Sequence, residues 1–157
     1  MLRRAHDKVT RVFGNKDKRA AAGDAKGAAD AALRAEVERL EALPLARLAA
    51  EVMARGFGPG GYLPDFVRRE PYAVAAASVR NIVPMFEPEG VRDADLRRRL
   101  YGVVGEGLQV LEHGSLIWAR SVSEGFGVGY APTRRGRAAL ETGAVEQALR
   151  ADSAETA

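Results

Sequence analysis

Apolar residues recur at helical spacing through most of the chain. From about Ala29 to Leu43, Leu33, Val37 and Leu40 share one face, which predicts an amphipathic helix that Pro44 interrupts. Proline is compatible with a first helical turn, so a second helix is expected to begin there. Leu45, Leu48, Val52 and Met53 mark its buried face, and Phe57-Gly58-Pro59-Gly60-Gly61 ends it. Residues 62–70, YLPDFVRRE, read as an extended loop or a single helical turn. Pro71 is expected to start a third helix, central and well buried, with Val74, Ala75, Ser78, Val79, Ile82 and Val83 on its small, apolar face. Pro84, Pro88 and Glu89-Gly90 then break the pattern.

The next helix begins near Asp93 or Asp95, either of which suits an N-cap because a carboxylate there satisfies unpaired amides. Leu96, Leu100, Val103, Val104, Leu108 and Leu111 carry its stripe. Gly102, Gly105 and Gly107 each weaken a helix interior by about 1 kcal/mol relative to alanine, so they either permit close packing or divide the helix in two. Gly114 suits a left-handed C-terminal position.

The period then changes. Leu116, Ile117, Trp118 and Val122 favour a strand, Glu124-Gly125-Phe126-Gly127 a turn, and Val128-Gly129-Tyr130 a short return strand. Thr133 is a good N-cap for a helix through Glu141, and Gly143 ends or kinks it. The fold class expected is mainly α with a small antiparallel β-hairpin, α+β. Trp118 is expected to pack between hairpin and helices, the other reading being a ligand pocket shared with Met85, Phe86 and Tyr101.

Charge divides the chain. Residues 1–26 hold eight Lys or Arg against three Asp, a net +5, so the remainder carries −2 of the overall +3. All the lysines lie in this leader. The high pI is therefore not a sign of a basic body. Within the leader, Leu2, Ala5, Val9, Val12 and Phe13 outline a short amphipathic helix over residues 2–13, followed by a glycine-punctuated, alanine-rich stretch with nothing large to bury. Such a basic arm suits DNA phosphates or an anionic membrane, or is simply solvated. The expected layout is a basic flexible leader over 1–28, one domain over 29–150 and a disordered tail over 151–157.

Cysteine is absent, which excludes disulfides and thiolate metal sites. No apolar run approaches membrane-spanning length and no secretory signal is recognisable, so a cytoplasmic protein is expected, with a membrane-surface role for the leader as the weakest reading. Gly125-Phe126-Gly127-Val128-Gly129 lacks the following helix that a phosphate loop needs. Glu112-His113 lacks further metal ligands at workable spacing, and Ser115, Ser121 and Ser123 sit in no nucleophile elbow. The expectation is a protein that is not an enzyme, with no cofactor and no metal.

Leu108, Leu111, Glu112, Gly114, Leu116 and Ile117, followed by Tyr130, Pro132, Thr133, Gly136, Arg137 and Leu140, resemble the winged helix-turn-helix fold, especially MarR- and PadR-like bacterial regulators. The resemblance covers about residues 108–140 and implies a dimeric transcriptional regulator, with the helix of about Tyr101–His113 in the DNA major groove. Its exposed candidates are Tyr101, Glu106, Gln109, Glu112 and His113, with Gln109 able to read adenine. Arg97, Arg98, Arg99, Arg120, Arg134, Arg135 and Arg137 would hold phosphates; otherwise they form a solvated face or pair with Glu106, Glu112 and Glu141. No Arg or Lys lies between Leu100 and Trp118. That acidic, glycine-rich segment supports a second expectation, a winged helix used for protein–protein contact without DNA.

Overall fold

In the computed structural model, the described residues are 27–64, 76–121 and 128–155. Helix α1 spans residues 27–41, and Leu33, Val37 and Leu40 are fully buried, as their spacing predicts. Helix α2, Leu45–Phe57, buries Leu48, Ala49, Val52, Met53 and Phe57. Leu45 is not part of the core: it is 51% exposed at the first residue of the helix. Arg39 bridges α1 to α2, donating to Glu36 at 2.8 Å and Glu51 at 2.6 Å, and Arg55 donates to Glu36 at 3.1 Å. Residues 62–64 form one helical turn, and the rest of the ambiguous 62–70 stretch lies outside the described residues.

The third helix is much shorter than its apolar pattern suggests. Helix α3 is only Val79–Ile82, continued by a 3-10 turn, Val83–Met85. Its predicted start at Pro71 lies outside the described residues. Ala77 is extended and exchanges two 2.9 Å backbone hydrogen bonds with Tyr130. Ser78 then caps α3, its amide and hydroxyl both donating to the Asn81 side chain, at 3.0 and 2.7 Å. Pairing with the sheet and a local cap together keep Ala77 and Ser78 out of the helix.

Helix α4, Ala94–His113, is continuous. Asp93 is its cap, accepting from the amides of Asp95 and Leu96 at 3.0 Å each. Asp30 of α1 accepts from the Arg92 and Asp93 amides, fixing the turn before α4. Its buried stripe, Leu96 to Leu111, lies against α2. Gly107 makes the approach close: a Cβ there would sit 2.7 Å from a Val52 methyl. Gly102 and Gly105 have open space where a side chain would be. Gly114 is not left-handed, with φ −76°; a Cβ there would overlap a Leu149 methyl, so closeness to the last helix explains the glycine. The positive φ falls instead on Ser115, at 55°.

Strand β1, Ile117–Ser121, pairs antiparallel with β2, Val128–Pro132, in the register Ile117 to Pro132 and Trp118 to Ala131. The predicted turn residues 124–127 lie outside the described residues. Helix α5, Arg134–Thr142, follows and ends at left-handed Gly143. Helix α6, Val145–Glu155, packs on α2 and α5 through Val145 and Leu149. The boundary expected at Ala151 falls inside α6, whose backbone is helical through Glu155; residues 156–157 and the whole leader 1–26 lie outside the described residues. Among the described residues the architecture is mainly helical with one two-stranded antiparallel sheet, the α+β class expected. Among the described residues, no helix is long and apolar enough to cross a membrane.

Candidate functional site

The turn from β2 into α5 is a backbone clamp. The Thr133 amide donates to the Leu116 carbonyl at 2.9 Å, and its hydroxyl donates to Ser115 O at 2.8 Å while accepting from the Gly136 amide at 2.9 Å. A Cβ on Gly136 would lie 2.8 Å from the Leu116 carbonyl carbon and closer still to its oxygen. Only glycine lets α5 rest on the start of β1. Arg135 donates to Gly114 O at 3.2 Å and Ala148 O at 2.9 Å, and Arg137 to Pro132 O at 2.9 Å. The Thr-x-x-Gly-Arg pattern is thus accounted for by the joint between hairpin and helices.

The eight residues expected to touch DNA fall into separate groups. Arg97 holds Glu87 at 2.7 Å and the Val91 carbonyl at 2.7 Å, and the Glu87 carboxylate raises its pKa. Arg99 reaches across to Glu41 of α1 at 2.7 Å. Arg98 pairs with Asp95 at 2.8 Å, and both side chains are about 80% exposed. Such a pair contributes roughly 0–1 kcal/mol and exchanges readily for another anion. None of these arginines pairs with Glu106, Glu112 or Glu141; their partners come from the turn before α4, its first turn and α1. Arg135 and Arg137 serve the clamp. Arg134 is exposed at the first residue of α5, where a cation opposes the helix dipole.

The solvent stripe of α4 runs Asp95, Arg98, Arg99, Gly102, Glu106, Gln109 and His113. Tyr101 and Glu112, expected on that face, are half-buried instead. Tyr130 is held above the usual tyrosine pKa, first by burial and then by the nearby Glu112 carboxylate. Arg98 lies sixteen residues before Gly114, or about 24 Å along the helix axis at 1.5 Å per residue. The Arg97–Arg99 cluster and the hairpin arginines therefore stand at opposite ends of α4.

Strand alternation places Trp118 and Arg120 on one sheet face, with Ala131. That face turns toward α2 and α5, whereas the α4 stripe turns away from α2. Trp118 does not enter the core. It is 45% exposed and lines a groove of about 430 Å³ with Phe57, Leu63, Pro64, Arg120, Ala131, Pro132, Arg137 and Leu140. Phe57, Pro64, Arg137 and Leu140 also line an adjoining hollow of about 390 Å³, with Gly58, Pro59 and Glu141. The Arg120 guanidinium lies 5.2 Å from the Trp118 ring centroid. Met85, Phe86 and Tyr101 are not part of this groove; Phe86 is buried with Arg55 over its ring at 4.3 Å.

Sequence reasoning missed the groove because its walls come from the end of α2, the 62–64 turn, the sheet and α5. The available signal was a large aromatic two residues from an arginine on a strand. Among the described residues, no group of three or more His, Asp or Glu is placed to hold a metal ion. Searches against protein-family models, characterised proteins and solved structures found no match to this chain.

Proposed function

We propose that residues 76–142 form a winged helix-turn-helix that serves as a protein–protein interaction module, with the hairpin side as its contact surface. The order supports the fold reading: extended Ala77 paired to Tyr130, a short helix, a turn, a long helix, a hairpin and a capped helix. The observation that carries the function is the partly exposed Trp118 with Arg120 beside an apolar groove. Trp and Arg are the residue types that dominate binding energy at protein interfaces. The arginines expected to hold phosphates are divided between the two ends of α4, and five of them, Arg97, Arg98, Arg99, Arg135 and Arg137, bind within the chain.

A second reading, a DNA-binding transcriptional regulator, is favoured by one arrangement: Arg98, Arg99 and Gln109 share the α4 stripe. Arg120 and Arg134 would then hold phosphates, and Gln109 would read a base edge. Site-specific photo-crosslinking in the native host separates the two. With the crosslinker at position 140, which lines the groove and leaves Trp118 and Arg120 in place, discrete protein adducts are expected; with it at position 109, none to DNA. DNA adducts from 109 together with no protein adduct from 140 would replace the first reading by the second.

A further inference from the structure

We infer that the Trp118 groove takes an apolar peptide segment bearing carboxylates, supplied by a partner protein. This rests on the hairpin side being the contact surface. Phe57, Leu63, Pro64 and Leu140 give the groove an apolar floor and walls. Its charges come from Arg120 of β1 and Arg137 of α5. Arg120 forms no ion pair among the described residues, and its only ring contact is with Trp118. Arg137 likewise has no carboxylate partner there and uses one N–H on Pro132, which leaves further donors. Among the described residues that line the two hollows, the one carboxylate is Glu141, and it belongs to the adjoining hollow.

An uncharged apolar occupant would desolvate both guanidinium groups without compensation, and a basic one would add like-charge repulsion. Carboxylates answer both problems, because guanidinium–carboxylate hydrogen bonds are charge-assisted. The same reasoning excludes the chain's own leader, which carries +5. The occupant is therefore acidic and apolar, with an aliphatic or aromatic side chain against the indole and a carboxylate at Arg120 and Arg137.

Trp118 is the only tryptophan, so emission of the full chain excited selectively at the indole, beyond tyrosine absorption, reports on this groove. The probes are short peptides of leucine, phenylalanine and glutamate, and the same peptides with lysine replacing glutamate. In the isolated chain, a solvated, acrylamide-quenchable indole is expected. The glutamate peptide should shift emission to the blue and shield the ring, and the lysine peptide should not. Arg120→Glu, at an exposed side chain with no backbone bond, should weaken the glutamate peptide about thirtyfold, the level of an interface hot spot. A circular dichroism melt confirms that this variant folds.

An indole already shielded in dilute isolated chain means that the chain itself fills the groove, and shielding that appears only on concentration means that a second copy does. Either result overturns the proposal. So does equal binding of both peptides, or an Arg120→Glu variant that binds as tightly as the parent. Protein adducts from position 140 with no peptide binding would leave the interaction module standing and remove only the acidic-peptide chemistry. Absence of both would remove the two together.

Discussion

The same chemical change, glycine to alanine, is expected to have opposite signs at two helical positions. At Gly102 a Cβ would meet nothing within 4 Å. Replacing glycine in an exposed helix interior gains about 1 kcal/mol, partly by restricting the unfolded chain. At Gly136 the intrinsic gain is similar, but the new Cβ would collide with the Leu116 carbonyl and stand 3.0 Å from the Met53 methyl. Neither backbone group is a flexible side-chain end, so α5 must withdraw from β1. That strains or breaks the Thr133 amide bond to Leu116 O and the Thr133 hydroxyl bond to Ser115 O. Two hydrogen bonds at about 1 kcal/mol each, with overpacking of about 1–3 kcal/mol, outweigh the propensity gain and leave a net loss of roughly 2–4 kcal/mol.

For a chain of this size 1 kcal/mol moves the Tm by about 2–4 °C, so Gly102→Ala should rise by that amount and Gly136→Ala should fall by about 5–15 °C. Thermal and urea unfolding of both full-length variants, followed by circular dichroism, provides the comparison, with an unchanged urea slope showing that only stability moved. A Gly136→Ala protein as stable as the parent would refute the backbone clamp. A destabilised Gly102→Ala protein would refute the open α4 face, and a concentration-dependent loss would point to a second chain seated there.

Thr133→Ala should cost about 1–2 kcal/mol in urea unfolding, as loss of an N-cap does, and Thr133→Ser should restore most of it because the hydroxyl makes the same bonds. Hydrogen bonds from Arg39 hold the Glu36 and Glu51 carboxyls below their ordinary value, so their contribution to stability is complete above about pH 4.5 and disappears as pH falls through the lowered folded values. Arg39→Met should therefore flatten the acid limb of a stability-versus-pH curve, and an unchanged limb would show that this network contributes nothing measurable.

Helices α1, α2 and α4 were legible because each buries a 3.6-residue stripe long enough to stand above local noise. Asp93, Thr133 and Gly143 were legible because a cap and a left-handed stop depend on few neighbours. Where the reading failed, a partner distant in sequence decided the outcome. Ala77 is extended because Tyr130, fifty-three residues later, offers both a donor and an acceptor. Gly114 is glycine because Leu149 lies over it, not because the helix needs a left-handed residue. The three glycines of α4 look alike in sequence, yet only Gly107 faces another helix.

The site was less legible than the fold, for a reason that Arg135 and Arg137 illustrate. Both follow the cap that identifies the hairpin-to-helix turn, and both look like exposed cations available to a phosphate. In the folded chain they donate to the carbonyls of Gly114 at the end of α4, Ala148 within α6 and Pro132 at the end of β2. A motif strong enough to reveal the fold can therefore consist of residues committed to making that fold, and it carries little information about a partner. Among the described residues of the groove, Arg120, outside the motif and with no side-chain bond to the backbone, is the cation left wholly available beside Trp118, whereas Arg137 offers only the donors that its bond to Pro132 leaves over. Partner choice is better sought in residues that the architecture does not require, and in this chain those lie in the groove and along the outer stripe of α4.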